Sequence, residues 1–156
     1  MKIKDVDNNL DKREISFILS TDKIVSVNTL YNARIGRKAG KAYPIIYKSP
    51  QAVNFSQEIE EQLLTLDFKT LAPWIWEVEY FDYTVQFVFN SSFNARDVDN
   101  CQKLSQDVLF RHLGLNDSRI LSLHAWKSYL PKSKEELIMI RLNESTFNFR
   151  FDDLSK

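Results

Sequence analysis

The chain contains few of the residues that define several specialised protein classes. Among its 156 residues there is one cysteine, Cys101, and there are two histidines, His112 and His124. A single thiol excludes an intramolecular disulfide, and these three residues lack the paired spacing of a structural zinc site. With only 3 glycines and 4 prolines, the sequence is neither collagen-like nor a flexible linker.

Long hydrophobic runs and an excess of one charge are missing as well. No apolar stretch approaches the ~20 residues of a membrane-spanning helix, and the polar first ten residues do not resemble a signal peptide. With the single cysteine, these features predict a cytoplasmic protein that does not enter a membrane. The chain has 21 basic residues (lysine plus arginine) and 21 acidic residues (aspartate plus glutamate). A polyanion could therefore bind only at a local patch of basic residues.

What is present predicts one folded domain. Hydrophobic residues make up 44% of the chain and aromatic residues 13%, which is enough for a core rich in strands. Side-chain patterns predict strands at 14–19, 43–47, 83–89, 118–126 and 136–142. They predict helices at 49–66 and 97–113, the first opened by Ser49-Pro50 and the second closed by Gly114.

We therefore expect a single α+β domain over 1–156, with a mixed or antiparallel sheet and two main helices. Residues 1–12 are interpreted as a polar N-terminal extension, residues 20–41 show no clear period, and no element is assigned to residues 144–156. The aromatic segment 81–89 and Trp74 and Trp76 offer a surface between two copies, but core packing is the preferred interpretation.

Two carboxylates separated by one residue stand where the second helix is expected to begin. Asp97 and Asp99 repel each other unless a cation neutralises them, and Mg²⁺ accepts one or two carboxylates while it keeps water for substrate phosphates. Lys103 lies one turn beyond Asp99 and can stabilise negative charge on a phosphoryl group. A third carboxylate, Asp117, follows the helix, and a turn there can bring it back.

The same residues have purely structural interpretations. Aspartate is a favoured N-cap, so Asp97 or Asp99 can simply cap the helix. Asn100, Lys103 and Asp107 share one helix face, where Lys103 can form solvated ion pairs worth a few tenths of a kcal/mol. Asp117 can belong to an ordinary turn.

Taken as one unit, the stretch resembles the RusA-like family of Holliday-junction resolvases. Residues 97–103 read D-V-D-N-C-Q-K, Asp107 follows on the same helix, and residues 114–118 read G-L-N-D-S. The family shows D-x-D-N-x-x-K, a later aspartate on that helix, and then G-x-x-x-D-D-S before a strand that ends in a basic residue, to which Lys127 is similar. Residues 25–28, Tyr31, the basic segment after it and residues 47–50 resemble the family's N-terminal half.

The resemblance implies a Mg²⁺-dependent endonuclease, with Mn²⁺ as a substitute, that works as a homodimer and nicks four-way DNA junctions in phage or prophage recombination and repair. It implies metal-binding catalytic roles for Asp97, Asp99 and Asp117, a catalytic role for Lys103, and supporting roles for Asn100, Asp107 and Asn116. Two departures stand out: Asn116 replaces one of the family's paired acids, and Glu135-Glu136 replaces a glycine that often opens the last strand.

A basic segment provides candidate DNA contacts. Between Asp22 and Glu58 the chain has no acidic residue, so cations concentrate there in a protein of zero net charge. Such a segment can neutralise phosphates, or it can be a solvated loop that balances acids elsewhere. The predicted DNA-binding residues are Asn28, Arg34, Arg37, Lys38, Lys41, Lys48, Arg119 and Lys127.

Three other functions remain open at this point. The chain can be a junction-binding protein with weakened or lost catalysis, for which Asn116 is the suggestive feature. It can be a metal-dependent phosphoryl enzyme on small nucleotides, which does not need the basic segment. It can also be a structural phage protein without a site.

Overall fold

The structure is a computed structural model, and it describes residues 3–26, 31–90 and 96–146. Within these residues the chain forms seven strands and three α-helices. The strands are β1 (Val6–Asn9), β2 (Glu14–Thr21), β3 (Tyr31–Lys38), β4 (Lys41–Lys48), β5 (Phe81–Phe89), β6 (Ile120–Tyr129) and β7 (Glu136–Glu144). The helices are α1 (Pro50–Leu64), α2 (Phe68–Leu71) and α3 (Val98–Leu113).

Five strands form one mixed sheet in the order β1-β2-β7-β5-β6. β5 and β6 are parallel and are joined by α3, whereas every other neighbouring pair in this sheet is antiparallel. α1 and α3 pack against each other and against one face of the sheet. The described residues therefore confirm a single α+β domain with two main helices, to which the one-turn helix α2 is added.

The core lies between this sheet face and the helices. β5 alternates as predicted, with Phe81, Tyr83 and Val85 buried under α3 and the residues between them facing the open side of the sheet. The ring of Phe110 from α3 meets the rings of Phe81 and Tyr83 edge-on, with centroids 5.9 and 6.2 Å apart. The aromatic segment thus belongs to the core, as expected.

The ends of the long helices follow the sequence signals. The hydroxyl of Ser49 accepts a hydrogen bond from the backbone N–H of Ala52, and Pro50 occupies the first turn of α1. Gly114 ends α3 in the left-handed conformation, with φ 68°, which glycine adopts without a Cβ penalty. The apolar residues Cys101 and Leu104 of α3 face the core as predicted.

A two-stranded hairpin stands apart from this sheet and differs from the prediction. β3 and β4 pair antiparallel over residues 31–48, with a turn at Ala39-Gly40, and we call this hairpin the basic arm. Nearly all of its side chains are exposed on both faces. An arm without a buried face has no reason to alternate, so the sequence pattern marked only residues 43–47 as a strand and left residues 31–38 without a period.

The polar N-terminal extension also contains a strand. β1 pairs with β2 at the sheet edge, with Val6 opposite Phe17. Its residues are mostly exposed, so backbone hydrogen bonds rather than burial hold the strand in place. Its sequence therefore shows no apolar alternation from which a strand could be predicted. Among the described residues, no helix has the length and apolar character needed to cross a membrane.

Candidate functional site

The two neighbouring carboxylates lie at the carboxyl end of β5, where α3 begins. Asp97 occupies the N-cap position and Asp99 lies in the first turn, and both side chains are exposed. The Asp97 carboxylate caps no backbone N–H of the helix and instead accepts a hydrogen bond from the Asn100 amide, 3.4 Å away. N-capping therefore does not account for the Asp97 side chain, which stays accessible at the electropositive helix end.

A buried ion pair holds the residue directly before this motif. Arg96 Nη1 lies 2.5 Å from Glu136 Oε2, with 11% and 1% of the two side chains exposed. The Arg96 guanidinium also lies over the Phe89 ring, 4.8 Å from the ring centroid. The backbone carbonyl of Arg96 accepts a hydrogen bond of 2.8 Å from Lys127 Nζ. The beginning of α3 is thus held by contacts to β5, β6 and β7.

Glu136 extends this support to the chain before the basic arm. Its Oε2 accepts a hydrogen bond of 2.7 Å from the backbone N–H of Ile24. The sequence pattern marked Glu136 only as a departure at the start of the last strand and did not mark Arg96, and neither was predicted to support the site. Lys127, predicted to contact DNA, lies partly buried in this network.

Further along α3, an acid and a base share the exposed side predicted from the helical spacing. Burial raises the pKa of Asp107 above its ordinary value, and the Asp117 carboxylate raises it further, while Lys103, Arg111 and Lys48 act in the opposite direction. Lys48 is the last residue of the basic arm. The base of the arm therefore lies within the electrostatic reach of α3.

Asp117 lies in a short 3₁₀ turn and contacts the middle of α3. Its Oδ2 accepts a hydrogen bond of 3.1 Å from the Gln106 amide. Asn116 Oδ1 accepts a hydrogen bond of 2.8 Å from the backbone N–H of Ser118. Gln106 follows Asp99 by seven positions, about 10 Å along a helix axis. The structure thus brings Asp117 to Asp107 rather than to the helix start, and the amide oxygen of Asn116 caps a turn.

The donor chemistry of the motif suits Mg²⁺, which takes carboxylate oxygens and retains several waters. Asp97 and Asp99 provide two exposed carboxylates at one helix end. Across residues 3–26, 31–90 and 96–146, no three acidic, histidine or cysteine side chains gather closely enough to hold a metal ion. A metal ion at the described residues would therefore have at most two of these side chains as ligands.

The basic arm carries the other predicted contacts. The cations Arg34, Arg37, Lys38, Lys41 and Lys48 are all exposed. Arg34 lies over the Tyr47 ring, 5.7 Å from its centroid, and none of the five forms an ion pair with the part of the chain that the structure describes. These cations are available to phosphates.

Arg119, another predicted DNA contact, is not placed in such a position. Arg119 donates hydrogen bonds to the carbonyls of Val78 and Glu79 and lies over the Phe81 ring, so its guanidinium is engaged within the fold. Asn28 falls outside the described residues.

Cys101 and His112 are placed as structural residues. Burial raises the pKa of the Cys101 thiol to about 11, which keeps it protonated within the core. His112 is half-buried, its pKa is lowered by burial, and its ring lies 5.9 Å from that of Phe68. Neither side chain joins the acidic motif.

No protein-family model matches the sequence, and no curated protein matches it at a significant level. The resemblance to RusA-like resolvases therefore stays a prediction that depends on the motif residues.

Proposed function

We propose that the chain is a Mg²⁺-dependent, structure-specific endodeoxyribonuclease with a RusA-like fold. Its substrate would be a four-way DNA junction, resolved by paired nicking in phage or prophage recombination and repair. The observation that supports this best is the presence, in one domain, of two exposed carboxylates, Asp97 and Asp99, at the start of α3 and of an exposed cationic arm whose last residue, Lys48, acts to lower the pKa of Asp107 on the same helix. Metal-dependent hydrolysis of a DNA phosphodiester uses both a cation site and a surface that attracts phosphate.

Each residue has a separate role in this proposal. Asp97 and Asp99 would hold Mg²⁺ or Mn²⁺, which when bound lowers the pKa of a water and polarises the scissile phosphate. Lys103, exposed one turn along α3, would stabilise negative charge that develops on the phosphate. Asn100 would orient Asp97 through their hydrogen bond.

Asp117 would become a third ligand only by leaving its hydrogen bond with Gln106. Asp107, Asp117 and the neutral Asn116 would otherwise set the charge along α3. Replacing an acid by Asn116 removes one negative charge from that stretch, which favours the approach of phosphate and weakens the hold on a cation.

The arm would supply most of the phosphate contacts. Its five cations would neutralise phosphates of the junction arms, and the affinity they confer would fall as salt rises. Paired nicks require two sites related by a two-fold axis, so we infer a homodimer. The edge strand β6, with exposed Leu121 and Leu123, is the candidate contact. We place this activity in the cytoplasm, where the single thiol stays reduced.

The proposal is tested on a synthetic four-way junction with Mg²⁺. The variants Asp97→Asn and Asp99→Asn are expected to lose nicking while they keep the fold and the affinity for the junction, because they remove negative charge near phosphate. Gln57→Glu, an exposed change on α1, serves as a control that is expected to nick normally. Full nicking by both aspartate variants would contradict the catalytic assignment.

A junction-binding protein without catalysis is the second candidate, because no three acids gather among the described residues. It predicts junction binding with no nicking at any Mg²⁺ or Mn²⁺ concentration. An enzyme acting on small nucleotides makes a different prediction, since removal of the charges of Arg34, Arg37 and Lys38 would leave its activity nearly unchanged while it would cripple a junction nuclease.

A further inference from the structure

The basic arm has one face that is apolar and uncovered. In its register, Ala33 lies opposite Ile46 and Ile35 opposite Pro44, so these four side chains share one face. Ile35 is 76% exposed and Ile46 is 70% exposed. Two isoleucines so open to water on one small sheet face are unusual for a surface without a partner.

Cations enclose this apolar face. Arg37 lies on the same face toward the turn, and Lys48 lies on it at the base, next to Tyr31. The opposite face carries Arg34, Lys38 and Lys41, and the arm contains no acidic residue. A partner must therefore combine an apolar contact surface with many negative charges.

A second copy of the arm does not meet this requirement. Two arms packed through their apolar faces would place Arg37 and Lys48 of one arm against the same two cations of the other, with no carboxylate in either arm to compensate. DNA does meet it, because stacked bases have apolar faces and each nucleotide carries a phosphate. A two-stranded ribbon also fits the dimensions of a DNA groove.

We propose that Ile35 and Ile46 contact the base surfaces that become accessible at a branch point, and that they give this chain its preference for branched over linear DNA. The inference rests on the proposed function and adds the origin of its structural selectivity. In a linear duplex the base faces are covered by their stacked neighbours, whereas at a branch the stacking is interrupted. Apolar side chains are the groups that proteins insert at such interrupted steps.

The two kinds of contact on the arm then have different consequences. Phosphate contacts from the cations provide affinity for branched and linear DNA alike, and they set the salt dependence. The isoleucines add affinity only where base faces can be reached. Tyr31, 54% exposed on the same face, offers a ring on which a base can stack.

The test measures binding in EDTA, so that no cleavage occurs and the catalytic assignment is not involved. The double variant Ile35→Thr with Ile46→Thr keeps β-branching and therefore the strand preference, but it replaces a methyl-bearing branch with a hydroxyl. The matched control is Ile35→Val with Ile46→Val, which keeps the face apolar. Dissociation constants are measured for a four-way junction and for linear duplexes of the same sequence, each across a salt series.

We expect the threonine variant to bind the junction about tenfold more weakly, on the order of one lost base contact, and to bind the linear duplex as before. Its salt slope should not change. With 2-aminopurine at the branch point, binding of the unmodified chain should change the fluorescence, and binding of the threonine variant should not. The valine control should retain both the preference and the fluorescence change.

A cationic comparison separates the two contributions. Arg37→Gln with Lys38→Gln should weaken binding to both DNAs by the same factor and reduce the salt slope by about one unit for each phosphate contact removed. If the threonine variant loses affinity for both DNAs by the same factor, or keeps its preference for the junction, the isoleucines do not recognise the branch point. That result leaves the proposed nuclease function standing.

Two further outcomes overturn the inference in other ways. If the unmodified chain shows no affinity for any DNA, both the inference and the proposed function fail. If the threonine variant instead converts a dimer to a monomer in sedimentation, the occupant of this face is a second copy.

Discussion

Replacing Glu136 tests whether the buried ion pair supports the candidate site. Glu136→Gln keeps the side-chain volume but leaves the Arg96 guanidinium buried without its counter-charge. Removal of one partner from a buried pair typically lowers the free energy of unfolding by about 3–5 kcal/mol. Since 11% of Arg96 stays exposed, some solvation remains and the lower part of that range is expected.

That loss has a measurable thermal equivalent. For a chain of this length, 1 kcal/mol corresponds to a change of about 2–4 °C in melting temperature, so Glu136→Gln should melt roughly 6–15 °C lower. The matched control is Glu60→Gln, which breaks the Arg111–Glu60 pair, whose side chains are 54% and 39% exposed. An exposed pair contributes at most about 1 kcal/mol, so this variant should melt within a few degrees of the unmodified chain.

A double-mutant cycle completes the test. Urea unfolding is measured for Glu136→Gln, for Arg96→Met and for the double variant that carries both changes. The double variant should be more stable than Glu136→Gln alone, because it no longer buries an unpaired charge. Below its melting temperature Glu136→Gln should also nick junctions more slowly, since Arg96 directly precedes Asp97. Equal melting temperatures of the Glu136 and Glu60 variants would show that the buried pair contributes no more to stability than the exposed pair.

Three further outcomes are expected. Asp117→Asn should lower the pKa of Asp107, because it removes the like charge beside it, and carboxyl NMR titration measures this shift; an unchanged pKa would show that the two acids are not close. Gly36→Ala should change the melting temperature little, because the new Cβ would lie 2.6 Å from Ile45 Cδ1 and 2.8 Å from Tyr43 Cζ, the ends of flexible side chains on the open arm that can move aside; a drop of several degrees would contradict this. Ser49→Ala removes the cap of α1 and should lower the free energy of unfolding by about 1 kcal/mol in a urea titration; no loss would mean that the cap contributes nothing.

The sequence predicted elements wherever burial or backbone chemistry leaves a local mark. The alternation at 83–89 follows from one face of β5 being buried, and Gly114 marks the end of α3 because only the left-handed conformation fits there. The basic arm left no such mark. Both of its faces are open to water, so burial imposes no period on its residues, and its pairing depends on backbone hydrogen bonds, which every residue except proline can donate.

The sequence named the motif residues, but it did not determine their spatial arrangement. Asp97 and Asp99 are neighbours in the chain, so the motif alone placed them together. The position of Asp117 depends on how the turn after α3 packs, and a hydrogen bond to Gln106 decides it. The Arg96–Glu136 pair joins residues forty positions apart, and no local pattern connects them.

We propose that Asp97 and Asp99 hold the divalent ion of a nuclease. Crystals of the chain grown with Mn²⁺ test this directly, because anomalous scattering locates the metal without reference to activity. A peak is expected within bonding distance of the Asp97 and Asp99 carboxylates at the start of α3. A fully occupied peak between Asp107 and Asp117 instead, or no peak near α3 at millimolar Mn²⁺, would contradict it.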